Sequence, residues 1–145
     1  MSKLVNIADA VVTRLNAATF TSSFTAEKRL FPRFEMDGID ALSVDVYGAS
    51  EEWERETRSG VFTRAYDVAV VVDSPVQQSA TLSNLNSSIE SLIDLLEEIK
   101  NDLAGRTMDG CPLIEIAQDE PFDSQFFHEF GFFHSVLIFK YKAIQ

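Results

Sequence analysis

The chain has one cysteine, two histidines, four prolines and six glycines in 145 residues, and each scarcity removes a class of explanation. A lone Cys111 forbids an intrachain disulfide, so the sequence does not read as one built for an oxidising compartment. The glycines are scattered singly, and neither GxGxxG nor GxxxxGK followed by Ser or Thr occurs, which excludes the backbone cradles that hold dinucleotides and nucleoside triphosphates. No Gly-x-Ser-x-Gly elbow presents a serine, and Cys111 precedes Pro112 without a neighbouring histidine, so it reads as a structural thiol. Apolar runs such as residues 68–72 are far too short to span a bilayer. The opening MSKLVNIADAVVTRL is broken by Asp9 and Arg14 where a signal peptide needs an apolar core, so neither leader nor membrane anchor is expected.

Positive charge is also scarce. Twelve basic residues face 23 acidic ones for a net charge of −11, and residues 73–145 hold only Lys100, Arg106, Lys140 and Lys142. Such a field repels a phosphate backbone unless a local patch reverses it, so no specific nucleic-acid binding is expected. The apolar fraction of 46% and charged fraction of 24% are those of a folded globular chain, and 145 residues suit a single domain over 1–145.

What is present is pattern. Ile7, Val11, Leu15 and Ala18 recur at helical steps and predict a first helix ending near Ala18. Leu42, Val44 and Val46 alternate with Ser43, Asp45 and Tyr47, which predicts a strand. Its expected hairpin partner is residues 25–34, turning at Asp37-Gly38, with Pro32 placing that strand at an edge. Residues 49–60, ASEEWERETRSG, read as an exposed charged excursion around the only tryptophan. Residues 62–72 predict a strand, apolar on both faces toward its end and hence central.

Leu82, Leu85, Ile89, Leu92, Leu96, Ile99 and Leu103 then step by three and four through one long helix stopped at Gly105. Its start is open between Ser74, Ser79 and Thr81 as caps. The heptad spacing suits either a coiled-coil seam with another chain or packing on the chain's own sheet, the latter favoured because Ile93 and Leu95 widen the stripe. Short and long strands are predicted at residues 113–116 and 132–143. The expected fold is therefore α+β: a largely antiparallel sheet of about five strands, in the order α-β-β-β-α-β-β, with both helices on one face.

His128, Glu129 and His134 are the residues that could carry chemistry. On an extended strand the two imidazoles stand ~20 Å apart and on a helix they point to opposite sides, so no metal site is expected. Asp119 and Glu120, adjacent before Pro121, read as a solvated strand end and not an acid–base pair. Six of the twelve phenylalanines fall within residues 122–133. They either plug the core or, at Phe126, Phe127 and Phe130, offer aromatic anchors to another subunit.

In chain order, IADAVVTRLNAA, FTAEKRLFPRFEMDGIDALSVDVYG with its aromatic-Pro-Arg-Phe turn, the charged segment ending TRSG, AYDVAVVV, one long helix, DEPF and a final SVLIFKY resemble the tail terminator or tail-completion proteins of long-tailed, siphovirus-type bacteriophages over nearly the whole length. The resemblance implies a homo-oligomeric, hexameric ring on the head-proximal end of the tail tube, which stops tube polymerisation and joins the tail to the neck. It implies the tail tube protein and a neck or connector protein as partners, DNA passing through the ring, and a place at the tail–neck junction of the virion after assembly in the host cytoplasm. It implies no enzyme, cofactor or metal. On that reading the candidate interface is Glu51, Glu52, Trp53, Glu54, Arg55 and Arg58, together with Phe126, Phe127 and Phe130. Trp53 is either the partner anchor or a ring folded back on its own sheet. A head-completion or neck adaptor protein and, more distantly, a small cytosolic enzyme are the other classes.

Overall fold

The computed structural model describes residues 2–30, 41–55, 62–76, 81–118, 127 and 131–143. The first helix, α1, spans Lys3–Ala17 and buries Ile7, Ala8, Val11 and Leu15, the stripe its spacing predicts. It stops at Ala18, whose extended backbone turns away while its N–H still bonds the Arg14 carbonyl. The second helix, α2, spans Leu82–Leu103. Its cap is Thr81, whose hydroxyl accepts the Asn84 N–H at 3.3 Å, and Gly105 ends it at a φ of +73°, where a side chain would be strained. Leu92, Leu95, Leu96, Ile99 and Leu103 are buried, whereas Leu82 is 73% exposed. The heptad stripe thus serves this chain's own core through its second half. Arg14 joins the helices, donating from Nε and a terminal nitrogen to the two Asp102 carboxylate oxygens at 3.0 and 2.6 Å.

The sheet has strands β1 (Ala26–Lys28), β2 (Ser43–Arg55), β3 (Phe62–Pro75), β4 (Thr107–Met108), β5 (Cys111–Ala117) and β6 (Phe132–Ala143). They lie in the order β1-β2-β3-β6-β5-β4. The α+β class and the central place of β3 agree with the sequence reading, but the described residues form six strands and the sheet is mixed. β1 and β2 do not form the expected antiparallel hairpin; they pair parallel, Ala26 beside Val44 and Lys28 beside Val46. The cause lies on α1, where the Asn16 amide accepts the Ala26 N–H at 2.7 Å and donates to its carbonyl at 3.1 Å, fixing the direction of β1. Fourteen residues, 29–42, separate the two strands, a connection of the length a parallel pair needs. Asp37-Gly38 and Pro32 lie outside the described residues. The sixth strand, β4, exists because Asp109 and Gly110, at φ of +51° and +79°, make a two-residue turn into β5.

One face of the sheet meets both helices. Val44, Val46, Tyr66, Val68, Val70, Val72, Phe133, Leu137, Phe139 and Tyr141 form one cluster with the buried stripes of α1 and α2. Fully burying each large aliphatic side chain contributes about 1.5–3 kcal/mol before entropy is counted. Gly48 lets α1 lie close on β2, since a Cβ there would come within 2.6 Å of Leu4 Cγ. On the opposite parity lie Asp45, Ala69, Val71, Asp73, His134, Val136 and Ile138. This second face is partly apolar, as expected, with Ala69 and Val71 buried. Its buried carboxylates are paired: Asp45 with Arg29 Nε at 2.9 Å and Asp73 with His134 Nδ1 at 2.5 Å.

Candidate functional site

The charged residues around Trp53 are not a loop. Through Arg55 they continue β2 as a ladder against β3, ending at Arg55 beside Phe62. Every residue from 49 to 55 is exposed. An antiparallel ladder persists here without burial because cross-strand side-chain pairs stabilise it. A bulge at Ala49 shifts the register, Gly48 facing Val68 and Ser50 facing Asp67. The shift exchanges the parity of β2, so Glu51, Trp53 and Arg55 share the helix-side face with Phe62, Arg64 and Tyr66. Ser50, Glu52 and Glu54 share the other face with Thr63, Ala65 and Asp67.

Trp53 lies directly opposite Arg64. The guanidinium carbon sits 3.9 Å from the indole centroid, and Phe62 meets the indole edge-on with centroids 6.0 Å apart. Trp53 Nε1 donates to Glu51 Oε1 at 2.9 Å. The ring is therefore folded onto its own hairpin and still 54% exposed, with Phe62 beside it 43% exposed. Each contact is modest, about 0.5–1 kcal/mol for an exposed cation–π pair, but together they fix the indole in one orientation. A plate ordered in advance loses little entropy when a partner covers it.

The other side of the hairpin is polar. Ser50 Oγ donates to Asp67 at 2.9 Å. Beyond it, Glu52 and Glu54 on β2 face Lys140 and Lys142 on β6 across a floor of Thr63 and Ala65, enclosing a groove of about 170 Å³. Lys140 also reaches Glu115 on β5 at 3.8 Å. Opposite charges about two strand spacings apart make this a surface for polar contact.

The structure separates the two halves of the sequence-predicted interface. Phe127 is half-buried and its carbonyl accepts the Gly131 N–H, while the Gly131 carbonyl accepts from Val76, just past the far end of β3. Trp53 belongs to the near end, beside Arg64. Arg58, Phe126 and Phe130 lie outside the described residues, as do His128 and Glu129. His134 is engaged with Asp73, and among the described residues no three His, Cys, Asp or Glu side chains gather as metal ligands. Burial pushes the Cys111 thiol up from its ordinary pKa, which disfavours the thiolate that a nucleophile requires. Among the described residues no helix is long and apolar enough to cross a membrane. Sequence reading missed Arg64 and Phe62 as partners of Trp53, because only the strand register reveals them.

Comparison with protein-family models and with curated proteins finds no match for this chain.

Proposed function

We propose that this chain is a structural assembly protein of the tail terminator kind. It forms a hexameric ring at the head-proximal end of a phage tail tube, stops tube polymerisation and joins the tail to the neck. The observation that supports this reading is the aromatic–cation plate of Trp53, Arg64 and Phe62, held half-exposed on a hairpin end where residues 49–55 are all exposed. Isolated exposed apolar side chains are ordinary on protein surfaces, but an indole clamped by a guanidinium, a carboxylate and a second ring is organised for contact. The partner is the tail tube protein or the neck protein, and Arg55 beside the plate gives it a charged rim. The net charge of −11 suits a ring through which DNA slides without adhering.

The test is electron microscopy of purified protein mixed with purified tail tubes. The expected result is rings in solution and a cap at one end of each tube. Trp53→Ala should keep the fold and weaken capping by roughly thirtyfold or more, the loss typical of an aromatic anchor. Undiminished capping by that variant would remove Trp53 from the interface. Binding to heads or connectors in place of tubes would make the chain a neck adaptor.

A further inference from the structure

The two outer strands β1 and β4 are short, and each covers only part of the strand inside it. β1 pairs with β2 at Val44, Asp45 and Val46, and just beyond it the Arg29 N–H still donates to the Val46 carbonyl at 2.8 Å, which sets Arg29 beside Tyr47. β4 pairs with β5 only at Cys111 and Pro112. Among the described residues this leaves β2 with an open edge from residue 48 onward and β5 with an open edge over residues 113–117. Following the ladders across the sheet shows that the two edges stand at the same height. One row runs Tyr47, Ala69, Ile138, Ala117; the next Gly48, Val68, Phe139, Ile116. Then come Ser50, Asp67, Lys140, Glu115 and finally Glu51, Tyr66, Tyr141, Leu113. Across these rows β2 and β5 each also carry one extra bulged residue, Ala49 in one and Ile114 in the other.

Three antiparallel steps separate β2 from β5, so they run in opposite directions. A second copy set beside the first in the same orientation brings β5 of one against β2 of the other as an antiparallel pair, with no vertical shift. The composition of the edges fits. Monomeric proteins block a bare edge with charges, yet residues 48–51 carry only Glu51, already bonded to Trp53, and residues 113–116 carry only Glu115, paired with Lys140. Blocking charges begin where the matched height ends, at Glu52, Glu54 and Arg55. Ile114 adds an exposed apolar side chain, 53% accessible, to the β5 edge.

We infer that the occupant of these edges is a second copy of this chain, the β2 edge at residues 48–51 of one subunit pairing antiparallel with the β5 edge at residues 113–116 of the next. The contact is head-to-tail, so it repeats from copy to copy and closes when the rotation permits. It supplies main-chain hydrogen bonds along roughly 13 Å of strand. It also divides β2: the matched stretch serves an identical neighbour, while Trp53 and Arg55 extend past the seam toward a different partner. The inference deepens the ring reading above and rests on it only for closure.

Ser50 and Glu115 stand in the same row and on the same face, so in the pair they lie opposite one another at a separation a disulfide spans. Ser50→Cys with Glu115→Cys, oxidised and run without reductant, should give a ladder of covalent multimers in which most of the protein exceeds single-chain mass. Glu51→Cys with Leu113→Cys, one end of the same seam, should do likewise, and each single variant should stay at single-chain mass. Native mass spectrometry under reductant is run in parallel on wild type and on variants that melt like it. Rings without cross-linking by either pair would overturn the seam and leave the ring reading standing. Self-cross-linking by Ser50→Cys alone would replace it with a two-fold contact. A chain that neither cross-links nor associates would overturn both, and a cross-linked ladder that ignores tail tubes would support the seam and reject the tail reading.

Discussion

Within the single β2–β3 hairpin, two halves share one pair of strands, joined across the bulge at Ala49, and differ in almost everything else. In the inner half Val44, Asp45 and Val46 are at most 3% exposed, facing Val70, Val71 and Val72 on β3. In the outer half every residue from 49 to 55 is exposed, and three of the seven are glutamates. Backbone pairing alone therefore does not decide which residues a strand can carry; the helices do, by covering one end and not the other. Inner residues are constrained by volume, and outer residues are free to be chosen for contact. Stability should then reside in the inner half and association in the outer half.

The hardest way to break that contrast is to cut the covered end. Phe139 faces Val68, is fully buried, and belongs to the cluster that both helices close. Phe139→Ala should lower unfolding stability by about 3–5 kcal/mol, the usual loss for a buried phenylalanine. Urea unfolding followed by circular dichroism would show this as a lower midpoint. A loss below about 1 kcal/mol would mean that the cluster is not the seat of stability.

The covered half is also the half that the sequence describes well. The steps Ile7, Val11, Leu15 and Leu92, Leu96, Ile99, Leu103, and the alternation Val68, Val70, Val72, are local consequences of burial on one side. Long-range contacts hide the rest. The direction of β1 depends on Asn16 holding Ala26, and nothing near Ala26 announces it. The bulge at Ala49 reverses the parity beyond it, so the face of Trp53 cannot be read from alternation. Asp45 alternates with Val44 and Val46 and so reads as facing away from the core, yet it and Asp73 are both buried against a cation or imidazole supplied from elsewhere in the chain. By contrast the β4–β5 turn left a local sign in Asp109-Gly110, a pair suited to two successive positive φ values.

A smaller effect sharpens the comparison from inside the core. Tyr66 and Tyr141 face one another across β3 and β6, and neither buried hydroxyl meets a hydrogen-bond partner among the described residues. Burial pushes the Tyr141 phenol well above its ordinary value near 10. The folded chain keeps that proton while the unfolded chain releases it, so the stability involved is complete below about pH 10 and is lost as pH rises. Burial pushes Tyr47 and Cys111 in the same direction, adding to the alkaline decline. Tyr141→Phe should be neutral or stabilising by up to about 1 kcal/mol near neutrality, where it removes an unpaired buried hydroxyl. Its advantage over wild type should widen in urea unfolding repeated at about pH 8 and about pH 10.5. A variant clearly less stable than wild type at neutral pH would show that the hydroxyl is bonded and that this part of the core is wetter than its burial indicates.

The smallest expected effect on folding belongs to the outer half. Trp53 and Arg64 touch each other on the outer hairpin, where Glu51 and Phe62 complete the plate, and Trp53 lies outside the buried core. A double-mutant cycle of Trp53→Ala and Arg64→Ala measured by urea unfolding should give a coupling of about 0.5–1 kcal/mol, the scale of an exposed cation–π pair. Each single variant should cost on the order of 1 kcal/mol or less. Repeating the cycle with tube capping as the readout should separate the two roles of the plate. If Arg64 acts only by holding the indole flat, Arg64→Ala weakens capping in the presence of Trp53 and does nothing further in its absence. If Arg64 contacts the partner itself, the two losses add. An unfolding cost of several kcal/mol for Trp53→Ala would erase the distinction between the halves, since the outer ladder would then be holding the fold together as much as the covered one does.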